Sequence, residues 1–437
     1  MGDESNQLSL ITCHLSLVTV HSGSMRQSVL VMLVVLLLGI LFVRDPRLQQ
    51  TEEVFLRWLL RSASTPKRMA PLTIVELNGK SGGGEQASAL EPGAAILSGA
   101  GDANSPLELA LFLQALLEFK PTVVAFEKVL KWRSDKRDEE QVLLDQAMRI
   151  PKLLLTAHLT MTPDPDTPAP EIAGFSQLQG NRGELPAFFG IAAQPDEDLR
   201  LISTLGFVHE PAAIEDPIHA PLLYQYRGEV IPSFALQAAM LWMKVAPGEI
   251  KIDLGSSITF PNGFKIPIRP DGTVLINPGA AKNGRRLSIN ALLLAAEQHD
   301  KNPPTTAPLD NIGGQIVLAC PAKNPPTLRD EIAATIATIQ THSFIRRVSR
   351  IFDCVILLLI AAASGPLRKV SRIDLLLGAI AFTAAYCLIA LGLLSQFNLW
   401  LPGFLPLGAV WVVVLALVLP RRNSSPRTLP LHPSDIC

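Results

Sequence analysis

The sequence predicts an α/β domain with a mostly parallel sheet and an antiparallel ribbon, joined to α-helical transmembrane spans. Between residues 72 and 157, short β-branched runs alternate with helical patterns, which is typical of parallel βαβ units. Residues 250–278 alternate in short pieces separated by Gly, Asn and Pro turns, which predicts antiparallel strands. Three apolar blocks near the end of the chain predict the spans: Ile351–Gly365, Ile373–Ser395 and Leu401–Pro420. The second and third blocks are long enough to cross about 30 Å of hydrocarbon.

Charges around the apolar blocks predict the orientation of the chain in the membrane. Residues 366–372 carry three cations, residues 396–403 carry no charge, and residues 421 and 422 are both arginine. Because cations are enriched on the cytoplasmic side, we expect residues 366–372 and the short tail 421–437 inside, and residues 396–403 outside. Residues 351–420 then form a three-span bundle, and we expect this polypeptide to lack a cytoplasmic output domain.

The N-terminal region predicts one membrane anchor. Residues 1–24 contain a near-exact seven-residue repeat without helical periodicity, and we expect them to be disordered, or Met25 to be the true start. The apolar run 28–43 follows Arg26 and indicates an uncleaved anchor, because no small-x-small cleavage site comes after it. A signal peptide is the alternative interpretation. The anchor places residues 44–350 outside the cytoplasm.

The region outside the membrane begins with an amphipathic helix and continues with alternating strands and helices. The segment Gln49–Arg61 has apolar residues on one helical face, as in an extended anchor helix or a helix lying on lipid. Strands are predicted at Leu72–Leu77, Thr122–Val129, Lys152–Ala157, Thr204–Glu210 and Gln315–Cys320. Helices are predicted at Pro106–Phe119, Glu139–Met148, Ser233–Val245, Ser288–Gln298 and Arg329–Thr341. We expect Ser105 and Ser233 to be N-caps, and the polar, proline-rich stretch 162–195 to be a long surface excursion.

Composition and motifs argue against several classes of function. The formal net charge of −1 gives no electrostatic footprint for nucleic acid. Cys320 is the one cysteine of the sequence between residues 44 and 350, so we expect no disulfide in that region, and we expect this side chain to be buried at a strand end. The sequence has no HExxH spacing and no G-x-S-x-G elbow. We therefore expect no metal, no cofactor and no catalytic site.

Short motifs follow one another in a set order before the apolar blocks. They are LTIVEL (72–77), VVAFEKV (123–129), LGFVHE (205–210), IPSFALQAA (231–239), TVLINPG (273–279), GGQIVLACP (313–321) and SFIRR (343–347). With one span before the domain and three after it, this order resembles the second type of CHASE domain, an extracellular sensory module found with cyclases and histidine kinases. The resemblance covers residues 44–420. It implies an extracytoplasmic sensor domain in a bacterial inner membrane, here without the usual cytoplasmic kinase or cyclase.

Glu76 and Glu127 are the candidate site residues. Both lie toward the carboxyl ends of predicted parallel strands, expected to be adjacent, where α/β folds place ligand crevices. The family usually has Asp at both positions. Two carboxylates there would hold a cation or a basic ligand, whereas the alternative is that they accept hydrogen bonds from helix N-termini as structural caps.

These observations predict a membrane-bound sensor and signal-transduction protein. We expect it to bind an unknown small-molecule or envelope ligand and to act through a partner kinase or cyclase. The alternative is a structural or assembly protein of the cell envelope whose sensor fold has lost ligand binding.

Overall fold

The computed structural model describes two compact units. It describes residues 46–63, 68–77, 105–132, 136–163, 172–209, 218–282, 284–301, 312–321, 328–367 and 370–418. The central unit is Ser62–Arg346, and the terminal unit combines Met1–Arg61 with Arg347–Cys437. The predicted segment 1–24, the anchor 28–43 and the tail 421–437 lie outside the described residues.

A seven-stranded, mainly parallel sheet forms the middle of the central unit. Its strand order is β15-β1-β16-β2-β3, after which β3 pairs in parallel with β7 and in antiparallel fashion with β6. The strands are β1 (Leu72–Leu77), β2 (Val123–Phe126), β3 (Leu153–Thr160), β6 (Gly190–Ala193), β7 (Thr204–Val208), β15 (Arg285–Ser288) and β16 (Ile316–Pro321). This confirms the predicted α/β class and its parallel-rich sheet.

Helices cover both faces of this sheet. They are α2 (Pro106–Phe119), α3 (Arg137–Ala147), α4 (Glu197–Leu201), α5 (Phe234–Met243), α6 (Ile289–Lys301) and α7 (Leu328–Thr341). Alternate side chains of a strand point to opposite faces, so Val75 and Leu77 pack with α2, α3 and α6, whereas Leu72 and Ile74 pack with α5 and α7. The continuous aliphatic runs of the central strands follow from this burial on both faces.

The two predicted N-caps are confirmed. The Ser105 hydroxyl accepts the N–H of Glu108 at 3.2 Å, and the Ser233 hydroxyl accepts the N–H of Leu236 at 3.4 Å. Each serine satisfies one of the N–H groups that the first turn of a helix leaves unpaired. Ser233 itself is buried against the sheet, where it bridges to Phe207 of β7.

Small sheets make up the remainder of the central unit. They contain β4 (Gln177–Gln179), β5 (Ala187–Phe188), β8 (His219–Pro221), β9 (Leu223–Tyr226), β10 (Glu229–Pro232), β11 (Lys251–Asp253), β12 (Ser257–Thr259), β13 (Lys265–Pro267) and β14 (Thr273–Leu275). The predicted ribbon is present as β11-β12-β13, with β4 added in parallel to β11. Its expected last member, β14, pairs instead with β8.

Two predictions about this region are wrong. The stretch 162–195 is not only a surface excursion, because β4, β5 and β6 lie within it and Phe188 is fully buried. Residues 285–288 form an edge strand of the large sheet, so the following helix begins at Ile289 rather than at Ser288. In both places the strands are short, and long-range pairing decides their conformation more than local preference does.

The terminal unit is mainly helical. Its described elements are α1 (Pro46–Ser62), α8 (Arg350–Leu367), α9 (Arg372–Phe397), β18 (Leu399–Trp400) and α10 (Phe404–Val418), and a short strand β17 (Arg346–Arg347) lies at the boundary between the units. Within the described part of the chain, α9 is the one helix long and apolar enough to cross a membrane, and 22% of its most apolar window is buried. The apolar segments Ile351–Ala363 and Phe404–Val418 are shorter.

Candidate functional site

The structure places Glu76 and Glu127 at the same edge of the sheet but not on neighbouring strands. Strand β16 lies between β1 and β2, where Cys320 pairs with Glu76. On the other side of β16, the N–H of Glu127 donates to the carbonyl of Ala319 at 3.0 Å. Since neighbouring strands are about 4.8 Å apart, the two glutamate backbones are about 10 Å apart. The expectation of adjacent strands is therefore corrected.

Both carboxylates lie on the face of the sheet that α5 and α7 cover. Glu76 alternates with Leu72 and Ile74, and Glu127 alternates with Val123 and Ala125. All four apolar residues belong to the core on the α5 and α7 side. The sequence therefore predicted the correct edge of the sheet, and the structure adds a shared face and a separation of two strands.

The two glutamates differ in their surroundings. The carboxylate of Glu76 lies 4.0 Å from the guanidinium of Arg286 on β15, and each side chain is about a third exposed. An ion pair this long and this solvated contributes little to stability. Glu127 is only 8% exposed, and it follows β2 directly. Glu76 is therefore a solvated rim group, whereas Glu127 belongs to the interior.

Buried polar groups continue from Glu127 across the sheet. Thr156 of β3 is fully buried, and its hydroxyl donates to the carbonyl of Phe126 at 2.7 Å. Cys320 is fully buried, as predicted, and its thiol lies 3.7 Å from the carbonyl of Val75. These contacts fix the carboxyl ends of β16, β2 and β3 with respect to one another.

Sequence reasoning missed two titratable residues of the central unit. Glu331 lies in the first turn of α7, where burial raises the pKa of its carboxyl to about 7. Tyr224 lies on β9 and is 3% exposed, and burial together with the nearby charge of Glu331 raises the pKa of its phenol. The ring of Phe188 lies between Tyr224 and His209, with ring centroids 5.4 Å and 4.8 Å away. A glutamate at the start of a helix normally indicates a solvated residue, so the sequence carries no signal for this cluster.

The central unit therefore offers carboxyl groups in contrasting environments rather than a recognisable catalytic set. The described residues contain no group of three or more His, Cys, Asp and Glu placed to hold a metal ion. Glu331 is half protonated near neutral pH because its charged form is poorly solvated. The protonation state of Glu331 therefore changes when the surrounding pH moves to either side of neutrality.

A second constellation, which we call the Glu52 clamp, occurs in the terminal unit. Glu52 of α1 is 2% exposed, and its carboxylate accepts three backbone N–H groups, from Gly403 at 2.9 Å, Phe404 at 3.0 Å and Leu405 at 3.2 Å. These groups open α10, where unpaired N–H donors and the helix dipole favour a negative charge. Burial raises the pKa of Glu52, while the N–H donors and Arg347 act in the opposite direction.

Close packing and an ion pair complete the Glu52 clamp. A Cβ atom at Gly403 would lie 2.4 Å from the ring of Phe55, one turn beyond Glu52, so only glycine fits. Arg347 donates to the buried carboxylate of Asp353 at 3.1 Å, and its guanidinium lies 5.6 Å from the ring centre of Trp400. The clamp therefore joins α1, the start of α8 and the loop that precedes α10.

Comparisons with known proteins identify no relative. No protein-family model, curated protein or solved structure matches this chain. The resemblance to the second type of CHASE domain therefore rests on the residues named above.

Replacing Glu331 by Gln is expected to stabilise the central unit at alkaline pH. A carboxyl whose folded pKa is raised binds its proton more tightly in the folded state. Its contribution to the free energy of unfolding is therefore largest at low pH and declines between about pH 4.5 and pH 7. At pH 8 the Glu331→Gln variant should be more stable by about 1–3 kcal/mol. At pH 4.5 it should match the wild type.

Thermal unfolding of the full chain in detergent micelles, measured by calorimetry from pH 4.5 to 8, tests this expectation. The control is Glu118→Gln, at an exposed position of α2, which should leave the profile unchanged. A Glu331→Gln variant that loses stability at pH 8 would contradict the proposed burial of an uncompensated carboxylate.

Proposed function

We propose that this protein is a multi-pass sensor of a bacterial inner membrane that binds a ligand outside the cytoplasm and acts through a partner kinase or cyclase. In this proposal the central unit is an extracytoplasmic domain of the second CHASE type. The observation that carries the proposal is the Glu52 clamp. It supplies a physical route from the central unit to the helices that would lie in the membrane.

The route follows from how the chain connects its two units. The chain passes between them twice, after Arg61 and after Arg346. The first connection leaves α1, which carries Glu52, and the second enters the terminal unit at Arg347. The first is tied to the start of α10 by three backbone N–H groups that donate to Glu52. The second is tied through Arg347 to Asp353 of α8 and to Trp400, which lies four residues before α10. A change in the central unit that moves either connection would therefore act on α10.

Exposed apolar surface supports the membrane location. The helix α9 is 26 residues long, which corresponds to about 39 Å. Most of its apolar window is exposed, whereas a core helix of a soluble protein is mostly buried. Large apolar side chains of the neighbouring helices are also exposed, namely Ile351, Phe352, Val355, Leu358 and Leu359 of α8 and Phe404, Val412 and Leu415 of α10. A lipid environment would cover this surface, and it is the reason to include α8 and α10 as spans.

The clamp also agrees with the orientation that the charges predict. The anchor places α1 outside the cytoplasm, and the positive-inside rule independently places residues 396–403 outside. The hydrogen bond from the Gly403 N–H to Glu52 joins these two segments, which requires them to be on one side of the membrane. Two separate lines of argument thus favour the same topology.

A face of small residues on α9 favours transmission to another protein. Gly378, Ala381, Ala385 and Gly392 are exposed at helical spacing. A Cβ atom at Gly378 or Gly392 would have no atom of the described chain within 4 Å. Small side chains let helices approach closely in a membrane. Packing within the described part of this chain does not use this face, so a partner helix or another span of the same chain would cover it.

Reporter fusions test the topology. A cytoplasm-dependent reporter fused after Arg422 should be active, and an export-dependent reporter inserted at residues 164–168 should be active, because the proposed topology has four spans and returns the tail to the cytoplasm. Exchanging the two reporters should abolish both signals. The reverse pattern would refute the four-span arrangement and with it the location of the sensor domain.

Photo-crosslinking in intact membranes tests the output. With p-benzoylphenylalanine at Ala381, we expect a crosslink to a membrane-associated signalling protein. Replacing both Gly378 and Ala385 by Leu should reduce this crosslink at least about tenfold, since the added side chains block close approach. The matched control is Ala384→Leu, at an exposed position that faces another direction on α9, which should crosslink normally.

Three outcomes would count against this route. They are a crosslink that survives both Leu replacements, a crosslink only to a second copy of the chain, and a crosslink only to proteins of cell-wall assembly. The third result would favour the alternative of an envelope assembly protein.

A further inference from the structure

A cleft in the central unit has the dimensions of a small-molecule site. Its volume is about 440 Å³, which lies within the usual range for ligand pockets. It lies beyond the last parallel strand, between α4, β7 and the start of α5. It is separate from Glu76 and Glu127, which do not line it.

The lining of the cleft contains a buried donor that has no partner among the described residues. The Nε atom of Arg200 is buried without a hydrogen bond among the described residues, and the guanidinium makes no ion pair there. Gln237 of α5 is 8% exposed, and within the same part of the chain its side-chain amide makes no hydrogen bond. Buried polar groups are nearly always hydrogen-bonded, because leaving one unsatisfied costs about 1–3 kcal/mol. The unsatisfied Nε atom of Arg200 belongs to the lining of this cleft, and the same lining includes Gln237.

Local contacts of the backbone fix the helical turn that carries Arg200. Arg200 lies in α4, which ends at Leu201, and the hydroxyl of Ser203 donates to the carbonyl of Leu199 at 2.6 Å. Gln237 is placed by the first turns of α5, whose N-cap is Ser233. Each side chain is therefore held by its own helix.

The chemistry of the lining selects a class of ligand. A guanidinium binds a carboxylate through two parallel hydrogen bonds, and an amide N–H₂ adds a further donor. The remaining walls are largely apolar, with Ile172, Leu205, Phe207 and Pro232 among them. Arg200 is the one cation among the described residues of the lining, and the exposed Glu197 disfavours a multiply charged anion.

We propose that this cleft binds a small monoanionic carboxylate with an apolar body, held by the guanidinium of Arg200 and the amide of Gln237. The inference adds a class of ligand to the proposed function. It rests on that function only in treating the bound carboxylate as the signal. Binding itself requires neither the membrane partner nor a particular topology.

Isothermal titration of the full chain in detergent micelles tests the proposal with three probes: benzoate, benzamide and inorganic phosphate. Benzoate should bind, and benzamide, which has the same shape without the charge, should bind at least about tenfold more weakly. Phosphate should also bind more weakly, because the apolar walls gain nothing from it. Empty micelles provide the baseline for partition into detergent.

Variants identify the residues responsible. Arg200→Gln should weaken benzoate binding at least about tenfold, and Arg200→Lys should give an intermediate loss because the charge remains but the paired donors do not. Gln237→Leu should weaken binding by a smaller factor. The matched control is Arg149→Gln, at an exposed arginine that does not line the cleft, which should bind benzoate like the wild type.

The proposal is overturned if benzoate gives no binding heat up to about 10 mM, which corresponds to less than about 3 kcal/mol of binding free energy. It is also overturned if phosphate or benzamide binds as tightly as benzoate, or if Arg200→Gln binds like the wild type. Failure of the proposed function looks different. In that case benzoate binds as expected, but adding it leaves the crosslink from position 381 unchanged.

Discussion

The buried carboxylate of Glu52 holds the start of α10 in place, and α8 and α9 both pack against α10. A carboxylate at 2% exposure is stable only when its oxygens are paired, and here three backbone N–H groups pair with it. Those groups would otherwise be unpaired donors at a helix start. The interaction therefore satisfies both partners at once, and removing either leaves a buried polar group at a cost of several kcal/mol.

This contact gives the proposed sensor a mechanical basis. A ligand acts on a distant helix only if it favours one arrangement of a connecting element over another. In the proposal, the two chain connections of the central unit lead to α1, which carries Glu52, and to Arg347, which precedes α8. The close approach of Gly403 to Phe55 supports the proposal that a shift of α1 would act on α10.

Local features of the sequence predicted local features of the structure. The strand Leu72–Leu77, the helix Pro106–Phe119 and the serine caps depend on neighbouring residues, and all of them are confirmed. The strands at 187–193 and 285–288 were missed because distant pairing specifies them. The separation of Glu76 and Glu127 has the same cause. Strand β16 comes from much later in the chain and lies between β1 and β2. Glu52 and Gly403 lie 351 positions apart, and a single sequence does not indicate that they are in contact.

Hydrogen–deuterium exchange at the amides of Gly403, Phe404 and Leu405 tests the central claim most directly. The first N–H groups of a helix usually exchange fast, because they lack intrahelical partners. The account predicts that these three amides are protected in the wild-type chain, lose that protection in Glu52→Ala and keep it in Glu53→Ala, while the middle of α9 is unchanged in both. Fast exchange in the wild type, or equal protection in Glu52→Ala, would contradict it.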